Sequence, residues 1–279
     1  MTLTGIFTPI TTPFTDAGEI DVAGLKANVA RLLPTRLTGI VVLGSNGEAP
    51  QLDDDEADRA IAAVREAVPK GRTLLAGTGR ESTRATIAAT KRAAAMDVDA
   101  VMVRTPSFYK PQMTTEAFVR FYREVADHSP RPVLLYNVTM YTAVNLHPDA
   151  VATLSEHPNI VGLKDSGNDM LAIGDYVTRT RPGFTVLCGS GQSLYSAAMV
   201  GAHGAVLALS NVVPDECVDI FEWARAGRAD EALALQRKVL HIARLIGSLH
   251  GVPGLKAALD LLGFRGGAPR SPLQPAPDA

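Results

Sequence analysis

One apolar run that ends in a lysine stands out in the sequence: Asn159-Ile160-Val161-Gly162-Leu163-Lys164-Asp165-Ser166. A run such as Ile160 to Leu163 is typical of a strand buried on both faces, as in a parallel sheet. The amine of Lys164 would then lie where water is scarce. Desolvation disfavours the charged form of an amine, and a neutral amine can attack a carbonyl carbon. The stretch therefore predicts a buried strand with a nucleophilic lysine at its end.

Similar apolar runs alternate with helical patterns along the chain. The eight candidate strands are Gly5–Pro9, Gly39–Leu43, Thr73–Gly77, Ala100–Arg104, Val133–Tyr136, Ile160–Lys164, Thr185–Cys188 and Ala205–Ala208. Between strands, apolar residues recur three and four positions apart, as over Asp53 to Val68 and Ser82 to Met96. Eight such units with short connections predict an α/β fold, a closed (β/α)8 TIM barrel.

The sequence after the eighth candidate strand has only helical patterns and then a proline-rich end. We predict a barrel core over residues 1–212 and C-terminal helices over residues 213–265. These helices would include the eighth barrel helix and a small helical extension. Residues 266–279 are predicted to form an extended tail.

Composition and charge argue against several classes of function. The 279 residues carry a formal net charge of -2, which argues against a nucleic-acid or polybasic membrane role. No apolar stretch reaches the roughly 18 residues of a membrane span, and the N-terminus has no targeting pattern. Cys188 and Cys217 lie far apart and match no metal-ligand spacing. We expect a cytoplasmic protein without a metal site, a membrane anchor or a nucleic-acid partner.

Polar motifs follow four of the candidate strands, where barrel enzymes carry their catalytic groups. They are Gly44-Ser45-Asn46-Gly47-Glu48, Tyr136-Asn137, Lys164-Asp165-Ser166 and Gly189-Ser190-Gly191. Together they would bring an amine and a phenol beside glycine-bracketed hydroxyl and amide groups. An amine captures an electrophile, a phenol transfers protons, and hydroxyl and amide groups can hold an anion.

Each motif also has a simpler interpretation. Lys164 could snorkel to the rim of the barrel or pair with the aspartate that follows it, and Tyr136 could be a packing residue. The loop around Ser45 could be only a tight turn. Gly189-Ser190-Gly191 could bind phosphate, although no basic residue accompanies it. Glu48 is expected to hold its loop rather than to act as a base.

The four motifs, in this order and spacing, resemble the dihydrodipicolinate synthase / N-acetylneuraminate lyase superfamily. The resemblance runs from Ile6 to about Pro272. It implies a (β/α)8 barrel with a C-terminal helical extension and a homotetramer built as a dimer of dimers. It also implies class I pyruvate-dependent aldolase chemistry on a small 2-oxo acid, without a metal or an organic cofactor.

The resemblance also implies a role for individual residues. Lys164 corresponds to the Schiff-base lysine and Tyr136 to the proton shuttle over the imine. Ser45 would link Tyr136 into a proton relay, and with Asn46 it would bind the carboxylate of the 2-oxo acid. Gly189 would line the pocket floor next to the imine.

Two departures from the usual pattern indicate a branch of the family. Tyr141 stands where dihydrodipicolinate synthases usually carry an arginine for the carboxylate of aspartate semialdehyde, and a phenol cannot make that bidentate contact. Ser45-Asn46, together with the segment Gly251 to Lys256, resembles the 4-hydroxy-2-oxoglutarate aldolases, which release pyruvate and glyoxylate. By this likeness, Asn46 and Ser166 orient the substrate hydroxyl and distal carboxylate.

The sequence is also compatible with other functions. A 2-keto-3-deoxy sugar acid aldolase or dehydratase, an N-acetylneuraminate lyase and a dihydrodipicolinate synthase would share the same lysine. A barrel that only binds a 2-oxo acid would need neither Lys164 nor Tyr136. The family often sends a tyrosine from the strand-four loop into the partner's site, and here that position is Phe108, followed by Tyr109. Either Tyr109 supplies the hydroxyl or the intersubunit relay is absent.

Overall fold

The computed structural model describes residues 1–277 and contains a closed barrel of eight parallel strands. The strands are β1 (Gly5–Pro9), β2 (Gly39–Val42), β3 (Thr73–Gly77), β4 (Ala100–Arg104), β5 (Val133–Asn137), β6 (Ile160–Asp165), β7 (Thr185–Cys188) and β8 (Gly204–Val206). Because β1 pairs with both β2 and β8, the sheet has no free edge. The predicted TIM barrel is confirmed. The eighth strand ends two residues early because Ala208–Asn211 forms a 3₁₀ turn.

Helices follow the strands and cover the outside of the barrel. They are α1 (Val22–Leu32), α2 (Asp54–Ala67), α3 (Thr83–Ala95), α4 (Thr115–His128), α5 (Thr139–Thr142), α6 (Pro148–Ser155), α7 (Met170–Arg179), α8 (Leu194–Met199), α9 (Pro214–Arg225), α10 (Ala229–Arg244) and α11 (Gly251–Leu261). The start of α2 shows how the sequence sets these boundaries. The Asp53 carboxylate accepts from the backbone N–H of Glu56, and the Glu56 carboxylate accepts from that of Asp53.

The buried apolar residues form two layers. A large outer layer lies between the strands and the helices. A smaller inner layer fills the barrel: Leu3, Phe7, Val41, Leu75, Ala100, Met102, Leu134, Tyr136, Val138, Val161, Leu187 and Val206. The barrel is therefore a packed core rather than a pore, and a reactive site can open only above this layer, at a barrel end.

A bulge shifts the pairing of β5 with β6. Val133 lies opposite Ile160, but the next pair is Leu134 and Gly162, which leaves Val161 as an extra residue. From that point the register continues until Tyr136 lies opposite Lys164. The bulge therefore fixes which residue of β6 stands beside the tyrosine.

The segment after β8 packs back onto the barrel. A π-helical turn, Leu245–Leu249, separates α10 from α11. Between Leu262 and residue 277 the chain has no helix or strand, and Arg270 contacts α2 through two 2.7 Å bonds to Glu56. The last two residues of the predicted tail, 278 and 279, lie outside the described part of the chain. Within residues 1–277, no helix has the length and apolar character needed to cross a membrane.

Candidate active site

Lys164 lies at the C-terminal end of β6 and is only 4% exposed. Its Nζ atom lies 4.1 Å from the centroid of the Tyr136 ring on the neighbouring strand. The aspartate that follows it faces a different set of partners: the Asp165 carboxylate accepts from Asn137 Nδ2 (2.7 Å) and from the Gly167 N–H (3.0 Å). Lys164 is thus neither a surface lysine nor the ion-pair partner of Asp165.

The phenol of Tyr136 is bonded to a side chain rather than to the backbone. Its Oη lies 3.1 Å from Ser45 Oγ, although the two residues are 91 positions apart. Ser45 begins a 3₁₀ turn, Ser45–Gly47, directly after β2. Tyr136 is buried, so this hydrogen bond fixes the position of its phenol beside the amine.

A solvent-open pocket of roughly 720 Å³ lies above these residues. Six of the eight predicted site residues line it: Ser45, Asn46, Tyr136, Lys164, Ser166 and Gly189. They come from four strand ends that the barrel brings together. The predicted roles of these residues toward a substrate stay predictions, but their convergence on one cavity is a property of the structure.

Gly189 is a glycine because its neighbours leave no room for a side chain. A Cβ atom there would lie 1.9 Å from Ser166 Oγ and 2.9 Å from the Asp165 carbonyl oxygen. The Gly189 N–H also donates to that carbonyl at 2.6 Å. The ends of β6 and β7 therefore touch through backbone at the floor of the pocket.

Phe108 and Tyr109 do not join the pocket in the single chain. They are 74% and 68% exposed, and their rings meet edge-on with centroids 5.1 Å apart. The Glu81 carboxylate anchors their loop by accepting from the N–H groups of Ser107 (2.8 Å) and Phe108 (2.9 Å) and from Arg104. Burial acts to raise the pKa of Glu81, but these hydrogen bonds outweigh it and lower the pKa. A contact of either aromatic residue with substrate would require a partner subunit.

The far wall of the pocket is formed by residues that sequence reasoning did not predict. Ile246, Gly247 and Ser248 reach it from the π-helical turn, and Gln192 Nε2 donates to Ser248 Oγ at 3.2 Å. A π-helical turn inside a helix often occurs at a functional site, but periodicity alone predicts only a continuous helix there. Asn168 and Ser190 add further neutral polar groups to this side.

The electrostatics of the pocket are dominated by one amine. Lys164 is the only lysine or arginine among its described lining residues, and Tyr141, at the position that is usually arginine in dihydrodipicolinate synthases, also lines it. Arg104 lines an adjoining cavity, where it pairs with Glu81 at 2.7 Å. Burial raises the pKa of the Asp165 carboxyl and raises that of the Cys188 thiol to about 11, so Cys188 is a neutral thiol near pH 7.

The arrangement is suited to carbonyl chemistry. A buried amine, a phenol in contact with a hydroxyl, and an open cavity allow nucleophilic attack followed by proton transfer. In residues 1–277, no three His, Cys, Asp or Glu side chains are grouped so as to hold a metal ion.

Comparison with known proteins matches this architecture over nearly its whole length. Residues 2–279 match the model of the dihydrodipicolinate synthetase family. A 4-hydroxy-tetrahydrodipicolinate synthase of Exiguobacterium sp. is 34% identical and aligns over 98% of this chain and 92% of its own. A probable mitochondrial 4-hydroxy-2-oxoglutarate aldolase of Emericella nidulans is 36% identical, with 96% and 88% covered.

A solved structure gives the same result. The dihydrodipicolinate synthase of Bacillus anthracis superposes with a TM-score of 0.95 at 33% identity, covering all of this chain and 95% of that one. The fold, the order of the strand-end motifs and the sequence identity therefore agree, and the chain belongs to the dihydrodipicolinate synthetase family.

Proposed function

We propose that the protein is a class I aldolase that cleaves 4-hydroxy-2-oxoglutarate to pyruvate and glyoxylate through a Schiff base on Lys164. The observation that carries the proposal is the pairing of Lys164 with Tyr136. The lysine is 4% exposed, lies 4.1 Å from the tyrosine ring and opens onto a cavity. A protein that only bound a 2-oxo acid would need neither a buried amine nor a phenol held against a serine.

The reaction would begin with attack of the neutral Lys164 amine on the C2 carbonyl. Loss of water from the carbinolamine gives a protonated imine, with Tyr136 moving the protons. When the C4 hydroxyl loses its proton to the Tyr136–Ser45 pair, the electrons of the C3–C4 bond pass to the imine. Glyoxylate leaves, and an enamine of pyruvate remains on the lysine. Protonation at C3 and hydrolysis of the imine then release pyruvate and restore the amine.

The choice of substrate is supported by three observations. The Emericella relative carries the name of this activity and is 36% identical. The turn after β2 presents Ser45 and Asn46 to the pocket, and Ser166 faces it from β6. The pocket contains Tyr141 instead of a guanidinium for the second carboxylate of a synthase substrate. Asn46 and Ser166 are proposed to orient the substrate hydroxyl and distal carboxylate.

A second candidate is a 2-keto-3-deoxy sugar acid aldolase or dehydratase. The far wall of the pocket carries neutral polar groups, Asn168, Ser190, Gln192 and Ser248, which suit hydroxyl groups better than a charged carboxylate. This candidate keeps the Schiff base on Lys164 and changes only the group beyond C4.

The assembly and location of the enzyme form part of the same proposal. We expect a cytoplasmic homotetramer arranged as a dimer of dimers. The exposed ring pair of Phe108 and Tyr109 supports a subunit contact, because two large aromatic side chains are otherwise left in water.

The substrate is tested by measuring pyruvate release from three compounds in parallel. These are 4-hydroxy-2-oxoglutarate, a 2-keto-3-deoxy sugar acid and N-acetylneuraminate. Rapid release from the first alone is expected. Release only from a sugar acid would move the enzyme to the second candidate. If none of the three compounds released pyruvate, both candidates would be refuted. The next reaction to test would be condensation of pyruvate with aspartate semialdehyde.

The Schiff base is tested by borohydride reduction in the presence of pyruvate, followed by peptide mass analysis. Wild-type protein should gain one reduced pyruvate adduct on the peptide that contains Lys164. Lys164→Met should gain none and should lose turnover, whereas the exposed-lysine control Lys70→Met should behave as wild type. Turnover by Lys164→Met comparable to that of the wild type would refute the mechanism.

A further inference from the structure

An ion pair lies in the interior, away from the pocket. Lys256 Nζ and Glu48 Oε1 are 2.6 Å apart, and their side chains are 1% and 0% exposed. Taking two charges out of water is costly, and a buried pair often stabilises a protein no more than well-packed apolar residues would. A role other than bulk stability is therefore worth seeking for it.

The pair connects three distant segments of the chain. Glu48 follows β2, Lys256 lies in α11, and the second Glu48 oxygen accepts from the backbone N–H of Arg270 at 2.8 Å. Lys256 also donates to the Ala268 carbonyl at 3.0 Å. The Phe14 ring lies 4.4 Å from both Lys256 Nζ and the Arg270 guanidinium carbon. The carboxylate thus has one fixed position, set by partners on two sides.

Glu48 is bonded directly to the turn that enters the pocket. Its N–H donates to the Ser45 carbonyl at 3.1 Å and closes the Ser45–Gly47 turn. Its backbone is left-handed, with φ 54° and ψ 31°, a conformation that a residue with a side chain seldom adopts. The ion pair offers a physical reason for this conformation, because the carboxylate reaches Lys256 from this backbone position.

The contacts form a continuous path from α11 to the amine. Lys256 holds Glu48, Glu48 closes the turn of Ser45, and Ser45 Oγ lies 3.1 Å from the Tyr136 phenol. The Tyr136 ring in turn faces Lys164. Each step is a hydrogen bond or a direct contact, so a displacement of Glu48 is transmitted to the Ser45 hydroxyl.

We propose that Lys256 is a positioning residue for the reaction: its ion pair with Glu48 holds the Ser45–Gly47 turn so that the Ser45 hydroxyl meets the Tyr136 phenol. The inference rests on the proposed function, because it assigns Lys256 to the proton relay of that site. Lys256 does not line the pocket. Its loss should therefore slow proton transfer without preventing the lysine from forming an imine.

The test uses Lys256→Met and the double variant Glu48→Gln/Lys256→Met. The double variant removes both buried charges, so it should fold even if the single variant, with an unpaired carboxylate, does not. We expect the double variant to lower kcat by up to about tenfold, the loss expected for removal of the Ser45 hydroxyl itself, with KM changed less than about threefold. Borohydride should still trap pyruvate on Lys164.

A purely structural role is distinguished by combining the same change with Ser45→Ala. If Lys256 acts through Ser45, adding Glu48→Gln/Lys256→Met to Ser45→Ala should not lower kcat below the value for Ser45→Ala alone. A loss of the same factor in the Ser45→Ala background would overturn the proposal. The control, Lys26→Met, breaks the exposed pair between Lys26 and Glu66 and should leave kcat within about twofold of wild type.

A crystal structure of the double variant separates this inference from the proposed function. The Ser45 Oγ to Tyr136 Oη distance should increase from 3.1 Å to beyond hydrogen-bond range. An unchanged distance would overturn the proposal even if the enzyme were an aldolase. If wild-type protein neither traps pyruvate nor cleaves any 2-oxo acid, the proposed function fails, and the assignment of Lys256 to its reaction fails with it.

Discussion

Gly189 offers the sharpest single perturbation of the site. Replacing it by alanine adds one carbon atom at the pocket floor, 1.9 Å from Ser166 Oγ and 2.9 Å from the Asp165 carbonyl oxygen. Ordinary contacts of a Cβ atom begin near 3.4 Å. The Ser166 hydroxyl must therefore rotate away, whereas the carbonyl is held by its 2.6 Å hydrogen bond to the Gly189 N–H.

The expected cost follows from these contacts and from a third, 2.9 Å from Ser166 Cβ. Crowding in a packed site costs about 1–3 kcal/mol, so we expect Gly189→Ala to lower the free energy of unfolding by about 2 kcal/mol. Removing the Ser166 oxygen relieves the shorter contact only. The double variant Ser166→Ala/Gly189→Ala should therefore be about 1 kcal/mol more stable than Gly189→Ala, although removal of a buried side-chain atom usually destabilises a protein.

Activity should respond differently from stability. If Ser166 binds the substrate as proposed, its displaced hydroxyl in Gly189→Ala should cost one hydrogen bond of about 1 kcal/mol and lower kcat/KM about fivefold. The double variant should not regain that factor, because its hydroxyl is absent. Pyruvate trapping on Lys164 should persist in both variants, since the strand that carries the lysine is unchanged.

Urea unfolding at a fixed protein concentration measures the stability of each variant. Gly174→Ala is the matched control, because no atom lies within 4 Å of the added carbon and the position is inside helix α7. It should be as stable as wild type or about 0.5–1 kcal/mol more stable. If Gly189→Ala lay within 0.5 kcal/mol of wild type, or if the Ser166 change failed to recover stability, the packing argument would be refuted.

Three further predictions concern proton transfer and pH. Tyr136→Phe should lower kcat by about 10²–10⁴-fold, the usual contribution of general acid–base catalysis, while pyruvate is still trapped on Lys164. Ser45→Ala should lower kcat about tenfold because the phenol loses its 3.1 Å hydrogen-bond partner. Adding Ser45→Ala to Tyr136→Phe should lower kcat no further. Additive losses would show that the two groups do not form one relay. Glu81→Gln should destabilise the protein at pH 7 by at most about 1 kcal/mol, because the carboxylate is 44% exposed. The pKa of Glu81 in the folded protein lies below its ordinary value of 4.5. The carboxylate therefore contributes to the free energy of unfolding above pH 4.5, and this contribution is lost as the pH falls through the folded pKa. Urea unfolding across this range would contradict the prediction if the difference persisted at low pH.

The strands, and the positions of Lys164 and Tyr136 at strand ends, can be predicted from the sequence because both depend on local pattern. Apolar runs between turn residues marked the strands, and a parallel barrel necessarily gathers the ends of those runs. Lys164 and Tyr136 each end such a run on neighbouring strands, so topology predicts that they lie at the same end of the barrel, and the bulge in β6 then sets them opposite each other. Ser45, Asn46, Ser166 and Gly189 reached the same pocket for the same reason.

The remaining parts depend on long-range packing that no local pattern encodes. Lys256 and Glu48 are 208 positions apart, and helical periodicity cannot show which helix face will meet the turn after β2. Ser248 reaches the pocket only because the chain forms a π-helical turn. Phe108 and Tyr109 are exposed in the single chain, so their predicted contact with substrate stays a prediction about a partner subunit.

The extra residue in β6 makes the site sensitive to chain length as well as to residue type. The bulge at Val161 places the lysine opposite Tyr136; if β6 paired regularly from Val133 and Ile160 onward, with Val161 opposite Leu134, Leu163 would stand there instead. Because side chains alternate between the two faces of a strand, the amine would then turn toward the surrounding helices. Deletion of the Leu163 codon, which would place Lys164 opposite Leu135, could thus leave a closed barrel with the other strand-end motifs intact and with no amine facing the pocket. For relatives of this chain, the spacing before the lysine is therefore as informative as the lysine itself.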